Sequence, residues 1–168
     1  MLLAMGQRPD IQQTMPANGT IERTCKVTSV HDGDSMRVRC PGFRKTLPIR
    51  LDQIDAPELD QAYGIASRDY LRSICPVGKD VIVRDLGPDI YNRRLGRVFC
   101  GDVNVRTTMI DANAAMIESG SAWVYDYYAT DQGLYSLQER ARTEKQGLWE
   151  SPKPPVKPWE FRKKSRKK

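Results

Sequence analysis

The sequence predicts an α+β domain built mainly from β-structure, with five short strands in a meander plus a return and three helices. Three observations carry this reading. Residues 25 to 40 alternate apolar and polar around an Asp-Gly turn signal, residues 49 to 54 alternate again before Pro57 breaks the run, and residues 62 to 75 change to helical spacing. With 168 residues, the chain has the length of one domain, long enough to bury a core without obligatory crosslinks or metals.

Residues 1 to 21 are rich in Gln, Pro and Asn and hold one apolar run, Leu2-Leu3-Ala4-Met5, with no basic residue before it. They read as a disordered leader or the remnant of a signal segment, and the sequence leaves the choice open. The folded domain is expected over residues 22 to 150. In its first hairpin, a two-residue Asp32-Gly33 turn sets Cys25 opposite Cys40, Val27 opposite Val38 and Ser29 opposite Met36. Asp34 then follows the turn near the end of the sheet. Turn chemistry accounts for Asp32-Gly33 but gives no reason for a second Asp. His31, the only histidine, reads as a turn residue.

Phe43 to Ile54 supplies the third strand, with Ile49, Leu51 and Gln53 on one face and Arg50, Asp52 and Ile54 on the other. Ala66, Tyr70, Leu71 and Ile74 give the first helix its apolar side, and Pro76 closes it. Val81 to Val83 and Leu95 to Cys100 are the fourth and fifth strands. The second helix is expected from Asn113, as its cap, to Ser119, with Gly120 as its stop. The third is expected over residues 132 to 146, ended by Gly147, and Asp102 to Asp111 reads as a lengthened hairpin or loop.

Charge is unevenly spread. Residues 151 to 168 carry eight of the 27 Lys and Arg and one of the 21 acids, which leaves residues 1 to 150 close to neutral at 19 basic against 20 acidic. A positive groove on the domain must therefore come from local arrangement. The segment 151 to 168, with Pro152, Pro154, Pro155 and Pro158 before a basic run, reads as an extended cationic arm for nucleic acid or as a solubilising tail. No run approaches the roughly eighteen apolar residues of a membrane span.

Cys25 and Cys40 face each other at a separation a disulfide can bridge, which leaves Cys75 and Cys100 as a second pair; buried free thiols are the alternative. Disulfides would put the protein in the periplasm or outside the cell, whereas free thiols would leave the cytoplasm open.

The chemistry concentrates in three fragments: Asp32-Gly33-Asp34-Ser35, Ile49-Arg50-Leu51 with Asp55-Ala56-Pro57-Glu58, and Asp89-Ile90-Tyr91-Asn92-Arg93. In order and spacing these resemble the staphylococcal nuclease family, and the likeness continues through Gly120 to Tyr125 and Gly147-Leu148-Trp149, covering about residues 22 to 162. The resemblance implies a five-stranded barrel of the oligonucleotide/oligosaccharide-binding type (OB-fold) with three helices, a monomer, and hydrolysis of phosphodiester bonds in DNA or RNA with little sequence specificity. It further implies that Asp34, Asp55 and the Ala56 backbone carbonyl hold a divalent cation, Ca²⁺ ahead of Mg²⁺, with Asp32 behind them. Hard oxygen ligands suit those ions, and no Cys-x-x-Cys spacing argues for Zn²⁺.

By the same resemblance, Arg50 and Arg93 clamp phosphate, Glu58 is the general base or orients water, and Tyr91 with Tyr125 and Tyr128 lines the substrate cleft. Ordinary edge packing is the alternative for the Tyr125, Tyr127, Tyr128 cluster. The chain departs from the family pattern at Asn92, where Gly is usual, at Ala56, where Thr is frequent, and at Ile90, where the best-known member has Lys. Asn tolerates the same backbone conformation as Gly, Ala still offers a carbonyl, and Ile forfeits one phosphate contact. The alternative function is a nucleic-acid-binding module of the same fold that has lost its chemistry. Retention of Asp34, Arg50, Asp55, Glu58 and Arg93 favours the enzyme.

Overall fold

The computed structural model describes residues 20–168. Through residue 19, the expected leader lies outside the described residues. In chain order the strands are β1 (Ile21–Asp32), β2 (Ser35–Arg39), β3 (Leu47–Leu51), β4 (Ile54–Asp55), β5 (Asp80–Pro88), β6 (Arg94–Cys100), β7 (Ile110–Asp111) and β8 (Trp123–Val124). The helices are α1 (Gly64–Ile74), α2 (Ala112–Glu118), α3 (Gln132–Thr143) and α4 (Pro158–Arg166). The main sheet runs β3-β2-β1-β5-β6 and closes because β6 also pairs with β3, in parallel. This is a five-stranded OB-fold barrel, and its strands are the five expected. β7 extends β6, and β4 with β8 forms a separate two-stranded sheet. Among the described residues no helix is long and apolar enough to cross a membrane.

Inward residues of every barrel strand, among them Val27, Val38, Ile49, Val83 and Val98, fill the interior. α1 packs on β1 and α2 on β6, adding Leu71, Met116 and Ile117 to the same core. The hairpin register holds at Val27 opposite Val38, but Ser29 faces Arg37 and Met36 faces Val30. Two bulges cause the shift, one between Val27 and Ser29 and one between Val30 and Asp32. They let Val27 and Val30, three apart instead of two, both face the core, and they move the turn to Gly33-Asp34. His31 accordingly lies on β1, exposed.

The third strand ends earlier than expected. After Leu51 the chain turns through Asp52 and Gln53, with Gln53 in the left-handed region at φ 63°. Ile54, expected opposite Ile49 and Leu51, is therefore buried as they are, in β4. Gln53 is held in this conformation from both ends: its backbone carbonyl accepts from Tyr125 N at 2.9 Å, and its side-chain oxygen accepts from Thr130 N and Asp131 N.

The N-cap of α2 is Asp111, which accepts from Ala114 N, and not Asn113. Asn113 lies inside the helix and is fully buried: its Oδ1 accepts from Val98 N, and its Nδ2 donates to the carbonyls of Asp52 and Gly96. Gly120 has positive φ just after α2, as a helix stop requires, but Gly147 is not the stop of α3: Glu144 caps that helix, Lys145 takes the left-handed conformation at φ 51°, and Gly147 opens a 3₁₀ turn. The two glycines touch, since Leu148 N donates to Gly120 O at 2.8 Å and a Cβ on either would strike the other's neighbouring backbone. The lengthened segment before α2 folds as a 3₁₀ turn, Arg106–Thr108, leading into β7. α3 ends at Thr143, earlier than expected, and α4 is a fourth helix where an extended arm was expected.

Two disulfides form, Cys25–Cys40 across β1 and β2, with Cα atoms 4.4 Å apart, and Cys75–Cys100 from the end of α1 to β6, with Cα atoms 5.4 Å apart. Crosslinks of this kind belong to an oxidising compartment.

Replacing Asn113 by Ala takes the side-chain partner from Val98 N and Asp52 O, whereas Gly96 O keeps Asp52 N at 3.0 Å, so it should cost about 2 kcal/mol and lower Tm by roughly 4–8 °C, as calorimetry would measure. Thiol titration of the unfolded, unreduced protein should find no free thiol. Replacing Cys75 and Cys100 together by Ser should cost about 3 kcal/mol in chemical denaturation, because the crosslink closes a long loop.

Candidate active site

The candidate residues converge at one end of β2 and β3, where the turns that follow and precede them meet. Asp34 sits in the first hairpin's turn, and its carbonyl accepts from Leu51 N at 2.8 Å, which continues the β2–β3 ladder by one rung. Gly33 brings that turn close to the rest of the site: a Cβ there would collide with Ser67 Oγ on α1 and with Ala56 Cβ. The missing side chain is what lets Asp34 Oδ2 reach Ala56 N at 2.6 Å. Asp55 arrives from the other direction, on β4, opposite Trp123 of β8.

Arg50 lies between these two carboxylates. Its Nη1 donates to the carbonyls of Leu51 at 2.8 Å and Ile54 at 2.9 Å, while Nη2 is 3.3 Å from Asp55 Oδ1 and 3.4 Å from Asp34 Oδ2. Both carboxylates are buried, Asp34 at 6% and Asp55 at 1% exposure, so two charges that would otherwise be costly in the interior are matched to one fixed cation. The match is incomplete. Burial first, and then the nearby charges of Asp32 and Asp55, hold the Asp34 carboxyl well above the usual carboxylate range, although Arg50 and the Ala56 amide pull it down. Asp32 itself shapes the turn, accepting from Asp34 N and Ser35 Oγ.

The remaining contacts come from α4, which the sequence reading left out of the site. Arg162 Nη2 donates to Asp55 Oδ2 at 2.7 Å, and its Nη1 donates to Glu58 Oε1 at 2.8 Å and Asp55 Oδ1 at 3.1 Å. Glu58 is thereby tied to Asp55 through a guanidinium. Trp159, one turn earlier, packs on Tyr125 with ring centroids 5.3 Å apart, and Tyr125 in turn meets Tyr127 and Tyr128 edge-on. Burial, and then the Asp55 charge, raises the Tyr125 hydroxyl pKa, which puts this ring at the site's edge. Tyr127 and Tyr128 are largely exposed. The signal in the sequence was Pro158 followed by Trp159 and Phe161, a helix start with an apolar side, set inside a basic run.

Arg93 and Tyr91 stand apart from this cluster. Asp89 Oδ1 accepts from the backbone N–H groups of Tyr91 and Arg93, Asp89 Oδ2 accepts from Arg93 Nε at 2.8 Å, and Asn92 takes the left-handed conformation at φ 60°. The expected exchange of Gly for Asn is thus accommodated. Burial opposes the Asp89 charge, but the Arg93 and Tyr91 hydrogen bonds outweigh it and lower its pKa. Arg93 lies over the Tyr91 ring at 5.3 Å and precedes β6, whose Leu95 is the Cα partner of Arg50. It stands just before the strand next to Arg50's but contacts none of Asp34, Arg50, Asp55 or Glu58 through the hydrogen bonds or ion pairs of the described residues.

A closed five-stranded barrel bearing an arginine between two buried carboxylates has a sequence counterpart. Residues 48–151 match the family model described as staphylococcal nuclease homologue, which is more than half of the chain. The chain belongs to the staphylococcal nuclease family. Among its relatives, a protein of Escherichia coli O157:H7 described as an uncharacterized endonuclease is 42% identical over 137 residues, covering 82% of this chain and 83% of the relative. A micrococcal nuclease of Shigella flexneri is 34% identical over 145 residues, 84% of this chain and 81% of its own. An uncharacterized endonuclease of Haemophilus influenzae is 33% identical over 141 residues, 84% and 74%.

Proposed function

We propose that this protein is a divalent-cation-dependent nuclease that hydrolyses phosphodiester bonds in DNA or RNA, working in the periplasm or outside the cell. The observation that carries the reading is Arg50, pinned by two backbone carbonyls beside two buried carboxylates. An arginine so fixed cannot follow the substrate, so its charge is preorganised for a transition state that gathers negative charge on phosphate oxygens.

The residues fit a hard cation. Asp34, Asp55 and the Ala56 carbonyl offer oxygen alone, and the groups at hand are unbalanced: the carboxyls of Asp32, Asp34, Asp55 and Glu58 outnumber the guanidiniums of Arg50 and Arg162. Asp34, Asp55 and that carbonyl would hold Ca²⁺, or Mg²⁺ in its place, with Asp32 supporting Asp34 through the turn. When bound, the cation supplies positive charge against the phosphate and lowers the pKa of water.

The chain's own groups supply the rest. Arg50 Nε has no partner among the described residues and is the donor left for a phosphate oxygen; Arg93 spends Nε on Asp89 and keeps both terminal nitrogens for the same purpose. Glu58 Oε accepts the proton of the attacking water or orients it. Tyr91, Tyr125 and Tyr128 give bases flat surfaces to stack on, which is indifferent to sequence, and the exposed lysines of α4 extend the positive charge beside them. The two disulfides and the family's relatives named as nucleases support the compartment and the substrate class.

Incubation with plasmid and single-stranded substrates should give cleavage with Ca²⁺ or Mg²⁺ and none with chelator. Binding without cleavage at every cation concentration would instead identify a binding module that has lost its chemistry. Arg50→Lys keeps charge but not the fork, so turnover should fall about 100-fold or more, whereas Glu58→Gln should lower kcat and leave KM nearly unchanged. Asp34→Ala and Asp55→Ala should raise the Ca²⁺ concentration needed for half-maximal activity, with part of the rate recovered at high Ca²⁺.

A further inference from the structure

α4 is attached at its start and reaches the site one turn later. Pro158 and Trp159 are buried, the Trp159 ring lies 6.2 Å from that of Trp123 as well as 5.3 Å from Tyr125, and Gln61 Nε2 donates to the Val156 carbonyl at 2.6 Å. Arg162, by contrast, has a side chain 28% exposed; it donates to Asp55 and Glu58, with the Tyr125 hydroxyl also beside it. The helix is thus docked by its aromatic residue, and the guanidinium is held by the carboxylates it meets.

We propose that Arg162 is a stand-in cation: it occupies the charge position between Asp55 and Glu58, competes with the divalent cation for Asp55, and so sets the cation concentration at which the site fills. This rests on the cation site proposed above and adds a residue that determines its affinity.

Three features of the site support the competition. First, both oxygens of Asp55 are taken, Oδ2 by Arg162 and Oδ1 by Arg162 and Arg50 together, so a cation reaching Asp55 must displace a guanidinium. Arg50 is nearly buried and anchored to the Leu51 and Ile54 carbonyls, whereas Arg162 can swing to solvent by side-chain rotation while Trp159 stays seated. Arg162 is therefore the group that yields. Second, the exchange improves the charge balance. With Arg162 in place, the carboxyl groups of Asp32, Asp34, Asp55 and Glu58 outnumber the two guanidiniums, and replacing that single positive charge by two reduces the excess. Third, the guanidinium is well matched to the position it holds: its two terminal nitrogens donate to both Asp55 oxygens, at 2.7 and 3.1 Å, and to Glu58 Oε1 at 2.8 Å.

A site open only when Arg162 has swung away binds its cation with an apparent affinity reduced by the open fraction. Titration of CaCl₂ into chelator-treated, full-length protein by calorimetry tests this with three chains: the parent, Arg162→Gln and Asp55→Ala. Arg162→Gln should bind Ca²⁺ at least about ten-fold more tightly than the parent, and Asp55→Ala more weakly. In the unsubstituted protein, the Arg162 Nε–H resonance should shift on Ca²⁺ saturation while the Trp159 indole resonance stays near its starting position. Equal or weaker Ca²⁺ binding by Arg162→Gln, or an unmoved Arg162 resonance, would overturn the competition and, provided Asp55→Ala binds more weakly, leave the cation site standing. Parent-like binding by Asp55→Ala, or no binding by any of the three, would remove the cation site and the competition together.

Discussion

The guanidinium of Arg50 is the constraint around which the site is built. A nearly buried cation needs its inward donors matched, and the chain matches Arg50 Nη1 with two of its own backbone carbonyls, from Leu51 and Ile54. Those carbonyls can both face Arg50 because the backbone doubles back at Gln53, and that conformation is held by Tyr125, Thr130 and Asp131 from a distant part of the chain. The same turn delivers Asp55, and the first hairpin delivers Asp34. The candidate site depends on a turn that ends a barrel strand at Leu51, three residues before its expected end at Ile54.

That turn also marks where the sequence stops being readable. The five strands and the first helix, expected over 62 to 75 and found over 64 to 74, follow from strand alternation and helical spacing, turn chemistry places the first hairpin to within one residue, and the candidate cluster Asp34, Arg50, Asp55, Glu58 comes from fragments whose spacing resembles a family. Ile54 was misplaced because alternation assumes an unbroken strand, and a left-handed Gln has no strong local signature. The two bulges of β1 are invisible for a similar reason: each local residue fits a strand, and only the shared core explains why Val30 must point the same way as Val27. Asn113 was read as a cap because caps are where Asn is common, but tertiary structure gave it a different use, satisfying backbone groups of Val98, Gly96 and Asp52. Arg162 was hidden by its company. In a run of six basic residues within seven, the bulk charge dominates any reading, and which arginine meets a carboxylate is decided by where Trp159 docks.

Gly33 shows how one residue can satisfy two readings of which only one matters. An Asp-Gly pair is a turn signal, yet the backbone of Gly33 does not need the left-handed region; the space beside it does the selecting, because Ser67 and Ala56 leave no room for a side chain. The glycine is thus tied to the site and not to the hairpin. The nearly neutral barrel fits the same pattern, since positive charge is gathered at Arg50 and on α4 and is not spread over the surface.

Both crosslinks lie between residues 25 and 100, whereas the helix that covers Asp55 begins at Pro158. A chain emerging N-terminus first into an oxidising compartment can close both disulfides, and with them tie β1 to β2 and α1 to β6, while its last third is still confined. The carboxylates would then face water before Arg162 exists to cover them. Oxidative closure and charge neutralisation become successive events in time, ordered by nothing more than position along the chain.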